Sequence, residues 1–135
     1  MTELEKKYYL IDASKQPLGR MATVASILLR DKISANYISN KCPNNIVIII
    51  NAANIYLTGN KSISKTYNRY TGFHGGVKTK DFFQLSKENP KKLIEKAVKG
   101  MLPKNRLIKN LMANLKIYDS KNHQYKKEQI IEIKV

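Results

Sequence analysis

The sequence predicts a layered α/β domain built on a mostly parallel sheet. Extended apolar segments alternate with segments of helical periodicity, which is the order expected of strand–helix–strand units. The run IVIII at 46–50 consists only of β-branched residues, as in a central strand that is covered on both faces. Because the 135 residues contain no internal repeat and no long linker, we expect a single domain over residues 1–135.

The first third of the chain reads as strand, turn, helix and strand. The segment YYLID at 8–12 is the first strand, and a turn that ends at Pro17 follows it. Helical spacing then places six apolar residues on one face of a helix, namely Leu18, Met21, Ala22, Ala25, Leu28 and Leu29. The turn formers NKCPNN separate this helix from the strand at 46–50.

The middle of the chain is predicted to be extended and basic. Residues 54–70 read as a strand, a turn at Thr58-Gly59-Asn60 and a second extended stretch, which carries Lys61, Lys65 and Arg69. The glycine-rich segment TGFHGGVKT at 71–79 is predicted to be a loop.

The last third is predicted to be helical until about residue 115. After a short helix, Asn89 is placed to cap the next helix and Pro90 suits its first position. Pro103 ends that helix, and a final one is expected to bury Leu107, Ile108, Leu111, Met112 and Leu115 and to expose Arg106, Lys109 and Lys116. From about residue 119 we expect a loop and a terminal extended segment, and the pattern leaves open whether this tail stays on the domain.

The charge of the chain points to a polyanionic partner. Lys and Arg number 25 against 10 Asp and Glu, which gives a formal net charge of +15. No acid lies between Asp31 and Asp81, where seven Lys/Arg fall, or between Glu95 and Asp119, where six fall. Such a protein repels itself unless a polyanion neutralises it, and nucleic acid is the obvious candidate. A lysine-rich solubilising surface is the alternative, but it would not remove acids from particular tracts.

A nucleotide-binding enzyme is the rival for a parallel α/β domain. The phosphate-loop pattern G-x-x-x-x-G-K-[ST] fails because Val77 stands between Gly76 and Lys78, and the turn after the first strand has only Gly19. No carboxylate pair or Ser/His/Asp grouping is evident. His74 is interpreted as a loop histidine rather than a catalytic base, so we assign no catalytic residue and no small-molecule substrate.

Metal, disulfide and membrane signals are absent from the sequence. The single cysteine, Cys42, and the two histidines, His74 and His123, do not form a metal-ligand set, so we expect no metal, no cofactor and an inert thiol. The longest aliphatic run is far shorter than the roughly 20 residues of a membrane span. The N-terminus MTELEKKYYL lacks an export signal, which predicts a soluble cytoplasmic protein.

Five stretches resemble the signatures of the ribosomal protein L13 family. They are YYLIDASKQPLGRMA, NAANIYLTGNK, TGFHGG, IEKAVKGMLPKNRL and LKIY, in the same order from about residue 8 to residue 118. The TGNK and GG stretches are similar to the bacterial branch of the family, including copies encoded in organelles. The resemblance implies a three-layer α/β/α fold with about four strands, no catalysis, and a place in the ribosome. Its implied partners are large-subunit rRNA and neighbouring large-subunit proteins, during assembly and translation.

The chain also departs from the family pattern. Tyr70 stands where the family usually has a histidine before its TG, and Ile108-Lys109 follows Leu107 where a Gly-Arg pair is usual. The tail NHQYKKEQ and the short N-terminus differ as well, so contacts made by both ends stay open.

The candidate RNA-binding residues follow from the basic tracts and from this resemblance. Recognition is expected to use RNA shape, phosphates and 2′-hydroxyls rather than base edges. The candidate cations are Arg20, Lys61, Lys65, Arg69, Lys78, Lys99, Lys104, Arg106 and Lys109, to which we add His74. Tyr67 and Phe73 could stack on unpaired bases, although about half of the aromatics near Arg69 are expected in the core. Gly72, Gly75 and Gly76 would let the backbone approach RNA, and a tight turn explains them nearly as well.

Overall fold

The computed structural model describes residues 6–125 and 129–133. In chain order the elements are β1 (Tyr8–Asp12), α1 (Leu18–Leu29), β2 (Ile46–Ile50), α2 (Lys61–Ser64), β3 (Thr66–Tyr70), β4 (Val77–Asp81), α3 (Phe82–Glu88), α4 (Pro90–Met101), α5 (Ile108–Ala113), β5 (Leu115–Ile117) and β6 (Ile130–Glu132). Four strands form one sheet in the order β5-β2-β1-β6, and every neighbouring pair is parallel. The predicted α/β class with a mostly parallel sheet of about four strands is confirmed.

The central pair β1–β2 explains the continuous apolar run at 46–50. Val47 and Ile49 point towards the cluster of apolar side chains that also receives the buried faces of α1, α3, α4 and α5. Ile48 and Ile50 alternate with them and are buried on the opposite face of the sheet. On that second face, the ring of Tyr8 lies 5.7 Å from the ring of Tyr125, which belongs to the chain after β5.

The two long helices, α1 and α4, pack against each other on the sheet. The predicted apolar face of α1 is confirmed, since all six of its predicted residues are buried. Pro90 is the first residue of α4, as predicted. The predicted cap is wrong in its chemistry, because Asn89 precedes the helix but its side chain makes no capping hydrogen bond.

The final predicted helix is shorter than its apolar spacing suggested. α5 ends at Ala113, and Leu115 begins strand β5, where it lies opposite Val47 of β2. Arg106 therefore precedes α5 in a turn, and Lys116 lies in β5 rather than on a helix. The error has a physical cause: Leu115 is buried in the core in either conformation, so its spacing from Leu111 does not distinguish a helix from a strand.

The basic middle of the chain is a helical turn followed by a hairpin. The strand predicted from residue 54 is reduced to an isolated bridge between Pro17 and Tyr56. The turn at 58–60 is confirmed, but α2 follows it where an extended stretch was predicted. The predicted loop at 71–79 is partly wrong, because β4 begins at Val77 and pairs antiparallel with β3. Residues 66–81 therefore form one β-hairpin.

The C-terminal extended segment returns to the sheet. β6 pairs in parallel with β1, with Tyr8 opposite Ile130, and the amide of Ile133 donates a hydrogen bond of 3.0 Å to the carbonyl oxygen of Leu10. The rest of the predicted tail, at 126–128 and 134–135, lies outside the described residues.

Candidate nucleic-acid interface

A basic cleft lies where α1 begins, beside α2, β3 and α4. Its volume is about 1000 Å³. Among the described residues that line it, five are cations and none is a carboxylate. The cations are Lys15, Arg20, Lys61, Lys65 and Lys96, and apolar surface comes from Tyr56, Leu57, Ala97 and Met101. A cleft of one sign of charge with apolar walls focuses the positive potential and attracts an anion.

Tyr67 organises the cations at one end of the basic cleft. The ammonium groups of Lys65 and Lys96 lie 5.6 and 5.2 Å from the centre of its ring, within the range of a cation–π interaction. Tyr67 also packs against the core, and burial raises the pKa of its hydroxyl. The ring therefore positions two lysines, and it is less available to stack on a base than the sequence suggested.

The start of α1 adds a favourable environment for an anion. Its first turn contains Arg20 and no acid, and the residue before the helix, Pro17, carries no side-chain acceptor. A helix N-terminus is the positive end of the helix dipole. Arg20 is exposed and lines the basic cleft, so side-chain and backbone charge act in the same direction there.

The hairpin β3–β4 carries four of the predicted RNA-binding side chains besides Tyr67. Arg69 of β3 lies directly opposite Lys78 of β4. Phe73 and His74 lie in the connecting loop, and both are exposed, Phe73 by 78%. Phe73 is thus an aromatic side chain that is free to stack, in contrast to Tyr67.

The loop glycines are explained first by the turn itself. Gly72 and Gly75 adopt φ of +88° and +68°, which favours glycine. Gly76 does not, but a side chain there would place its Cβ 2.0 Å from the hydroxyl oxygen of Thr71. All three glycines are therefore needed to close the loop, and their predicted approach to RNA remains a prediction.

The remaining predicted cations lie along α4 and α5. Lys99 and Lys109 line a second cleft of about 400 Å³ between these helices, beside Lys96 and Glu95. Lys104 and Arg106 are exposed in the turn that joins α4 to α5. Because Lys96 lines both clefts, the basic surface is continuous from α1 to α5.

Sequence reasoning missed two cations of the basic cleft, Lys15 and Lys96. Lys15 lies in the turn at the carboxyl end of β1, which was considered only as a glycine-rich phosphate loop. Lys96 lies on α4 and was not among the predicted RNA-binding residues. Its position three residues before Lys99, in an acid-free tract, was the available signal, since residues i and i+3 share a helix face.

At the carboxyl end of the parallel sheet, where many α/β enzymes bind substrate, a cleft of about 440 Å³ is lined by Asp12, whose Oδ1 is engaged in internal hydrogen bonds. Oδ1 of Asp12 accepts hydrogen bonds from the amide and hydroxyl of Ser14, at 3.0 and 2.7 Å, and from Nδ2 of Asn51, at 2.9 Å. Burial raises the pKa of Asp12, but these hydrogen bonds and the nearby charge of Lys15 outweigh burial, and the net pKa is lowered. Asp12 is thus an ionised structural residue that ties β1 to β2.

Two further results concern the described part of the chain. Residues 6–125 and 129–133 contain no cluster of three or more His, Cys, Asp or Glu able to hold a metal ion. Nor does any helix in these ranges have the length and apolarity to span a membrane.

Burial raises the pKa of the Cys42 thiol, in agreement with its interpretation as inert.

Comparison with known proteins identifies the family. The family model described as ribosomal protein L13 matches residues 6–124. A protein of Cyanothece sp. named large ribosomal subunit protein uL13 is 42% identical over 135 residues, which covers 98% of this chain and 91% of the relative. Proteins of the same name from Acaryochloris marina and Geobacter sulfurreducens are 44% and 41% identical, and the matches cover 90% and 94% of this chain and 80% and 89% of the relatives.

The chain belongs to the ribosomal protein L13 family.

Two of the departures from the L13 family pattern lie in the hairpin and in α5. Tyr70, in place of the usual histidine, ends β3 and is exposed by 68%. Ile108 and Lys109, in place of a Gly-Arg pair, begin α5 and line the cleft between α4 and α5. Lys109 keeps the positive charge, whereas Tyr70 exchanges an imidazole for an uncharged aromatic ring next to Arg69.

Proposed function

We propose that this protein is a structural component of the large ribosomal subunit that binds large-subunit rRNA. Membership of the L13 family over almost the whole chain supports this role, and the relatives are named as large-subunit proteins. Its partners are rRNA and neighbouring large-subunit proteins, its role is structural rather than enzymatic, and its place is the cytoplasmic ribosome of bacterial type.

The observation that carries the proposed RNA contact is the basic cleft. Lys15, Arg20, Lys61, Lys65 and Lys96 converge there with no lining carboxylate among the described residues. Cations held this close repel one another until phosphates neutralise them, and each neutralised phosphate releases counterions. The cleft thus fits a bend of the RNA backbone, while Arg69, Lys78, Lys99, Lys104, Arg106 and Lys109 extend the contact over the hairpin and α4–α5.

Sedimentation tests the cellular role. A lysate of the source cells is separated on a gradient, and the fractions are probed for this chain. We expect the chain in the large-subunit and whole-ribosome fractions. A chain found only at the top of the gradient would overturn the assignment to the ribosome.

Thermal unfolding tests the RNA contact on the purified protein. Fragments of large-subunit rRNA should raise the melting temperature, since a ligand at 100 times its Kd stabilises the native state by about 2.7 kcal/mol. Millimolar nucleotides should not. The variant Lys61→Ala tests the cleft directly, because it removes one of the cleft's cations. It should bind the rRNA fragments with a smaller salt dependence than the wild type. Stabilisation by nucleotides but not by RNA would contradict the proposed function.

A further inference from the structure

The hairpin β3–β4 is a sheet with almost no core of its own. Only Tyr67 among the ten strand residues is partly buried, and all five residues of β4 are exposed. A two-stranded hairpin is marginally stable unless another element covers one face. Among the described residues of the hairpin, only Tyr67 packs against the hydrophobic core. The helix α3, which follows the hairpin directly, contributes Phe82 and Leu85 to that core. The stability of the hairpin therefore depends on whatever covers it.

The strand register divides the hairpin into two different faces. Directly opposed residues of an antiparallel pair project to the same side. Arg69 opposite Lys78 and Tyr67 opposite Lys80 form a charged face. Thr66 opposite Asp81, Asn68 opposite Thr79 and Tyr70 opposite Val77 form a cation-free face.

The charged face contains a repulsive pair. Like charges directly opposite each other destabilise an antiparallel pair, whereas opposite charges contribute roughly 0.2–1 kcal/mol. Lys80 forms an ion pair with Glu88, but within residues 6–125 and 129–133 neither Arg69 nor Lys78 has an ion-pair partner. The free protein therefore holds two cations together at its least buried sheet.

The charged face continues into the basic cleft. Tyr67 belongs to this face and also lines the cleft, where Lys65 and Lys96 lie over its ring. An anionic chain that enters the cleft at Arg20 can therefore reach Arg69 and Lys78 along one surface. A phosphate between these two side chains would convert their repulsion into two attractive contacts.

We propose that the charged face of the hairpin is an RNA-phosphate surface whose occupation stabilises the hairpin itself. This inference rests on the proposed function. The free hairpin opens readily because Arg69 and Lys78 repel each other, and bound RNA backbone holds the two strands together. By linkage, whatever stabilises the open hairpin weakens RNA binding, and RNA binding lowers the equilibrium population of the open hairpin by the same factor.

Hydrogen exchange of the backbone amides measures this coupling. We expect an rRNA fragment to slow exchange in residues 66–70 and 77–81 by about 5- to 150-fold, the usual range of coupling between sites. Exchange in β2, which is already buried, should change much less by comparison. Polyglutamate of equal charge serves as the other polyanion, and equal protection of the hairpin by polyglutamate would overturn the assignment to RNA in favour of an acidic protein.

Charge reversal at Lys78 gives the sharpest variant. Lys78→Glu places a carboxylate opposite Arg69, so exchange of the free hairpin should slow while RNA affinity falls. Lys32→Glu is the matched control, because it changes the net charge equally at an exposed position outside the basic cleft and the hairpin. Lys78→Gln removes the repulsion without adding attraction and should give an intermediate exchange rate, which keeps the test valid if the reversed variant folds poorly.

The possible failures are distinguishable. If wild-type protein binds rRNA but the hairpin amides exchange at the same rate with and without it, the proposed surface is wrong and the proposed function stands. Equal loss of affinity in Lys78→Glu and Lys32→Glu would also contradict the proposed surface. If the wild-type protein binds no rRNA at all, the proposed function itself fails.

Discussion

The strand pairs β1–β2 and β3–β4 have the same length and opposite character. Each consists of five residues per strand paired in full register. β2 is buried at four of its five positions, whereas β4 is exposed at every position. The two strand pairs therefore differ in what they contain: the parallel pair carries buried core side chains, and the antiparallel hairpin carries exposed polar and charged side chains. Substitutions in the two pairs should therefore fail in different ways.

The largest expected effect is in the parallel pair. Ile49→Ala removes a fully buried side chain from the cluster beneath α1 and α4. A large-to-small change in such a core typically costs about 2–5 kcal/mol. Chemical denaturation should show this loss of unfolding free energy. RNA affinity per folded molecule should not change. If the salt dependence of RNA binding changed together with the stability, the contrast between the two strand pairs would be wrong.

A smaller loss is expected at the carboxyl end of the parallel pair. Asp12→Ala removes the acceptor that joins Ser14 to Asn51, and hydrogen bonds to a charged group typically contribute about 1.5–3 kcal/mol. The variant should be less stable than the wild type by roughly this amount at neutral pH, as measured by denaturant unfolding. Lys15→Ala, which removes only an exposed ion pair, is the control and should cost less than about 1 kcal/mol.

The pH dependence of Asp12 has a definite sign. Because its pKa is lower in the folded protein than the ordinary value of 3.8, its contribution is complete above that value and is lost as the pH falls through the folded pKa. The stability difference between wild type and Asp12→Ala should therefore shrink in acid. A difference that grows as the pH falls below about 4 would show that Asp12 is not an ionised acceptor.

Exposed cations of the helical body should affect RNA and leave folding nearly unchanged. Arg106→Ala with Lys109→Ala changes two exposed residues, so we expect less than about 0.5 kcal/mol in stability. RNA affinity should drop, and the slope of log K against log salt should shrink by about one unit per lost phosphate contact. Salt titrations of the variant and the wild type check this, and an easily unfolded variant with the wild-type slope would identify these cations as structural.

The smallest expected effect on stability is on the cation-free face of the hairpin. Tyr70→Ala truncates a side chain that is exposed by 68%, and its change in unfolding free energy should stay within about 0.5 kcal/mol. Comparison with Ile49→Ala in the same denaturant series measures the contrast between the two strand pairs directly. A loss of 2 kcal/mol or more would mean that this face of the hairpin is packed in solution.

The same contrast explains what the sequence could predict. β1 and β2 were predicted with their correct bounds and α1 with its correct buried face, because burial imposes an apolar pattern on their residues. The first three residues of the hairpin strand VKTKD were predicted as loop, because a strand exposed on both faces needs no apolar alternation. Tertiary pairing, which no local pattern records, also decided that Leu115 belongs to β5.

The basic cleft was predictable in part for a related reason. Lys61 and Lys65 were chosen from an acid-free tract and Arg20 from a stretch that resembles the family, and the fold brings all three together. Lys15 and Lys96 were not predicted as RNA-binding residues. They come from segments that are far apart in the chain, and the packing of α4 against α1 brings them to one cleft. Composition thus predicts the sign of the charge, and topology determines where it is concentrated.

The pairing of Tyr8 with Ile130 sets an order of events during synthesis. β1 leaves the translating ribosome well before β6, but one of its two edges pairs with β6. Until then β1 is an open sheet edge, able to pair with other chains. Contacts between segments that are far apart in a chain form slowly, so the newly made protein has most to gain from a partner that shields this edge until β6 pairs with it.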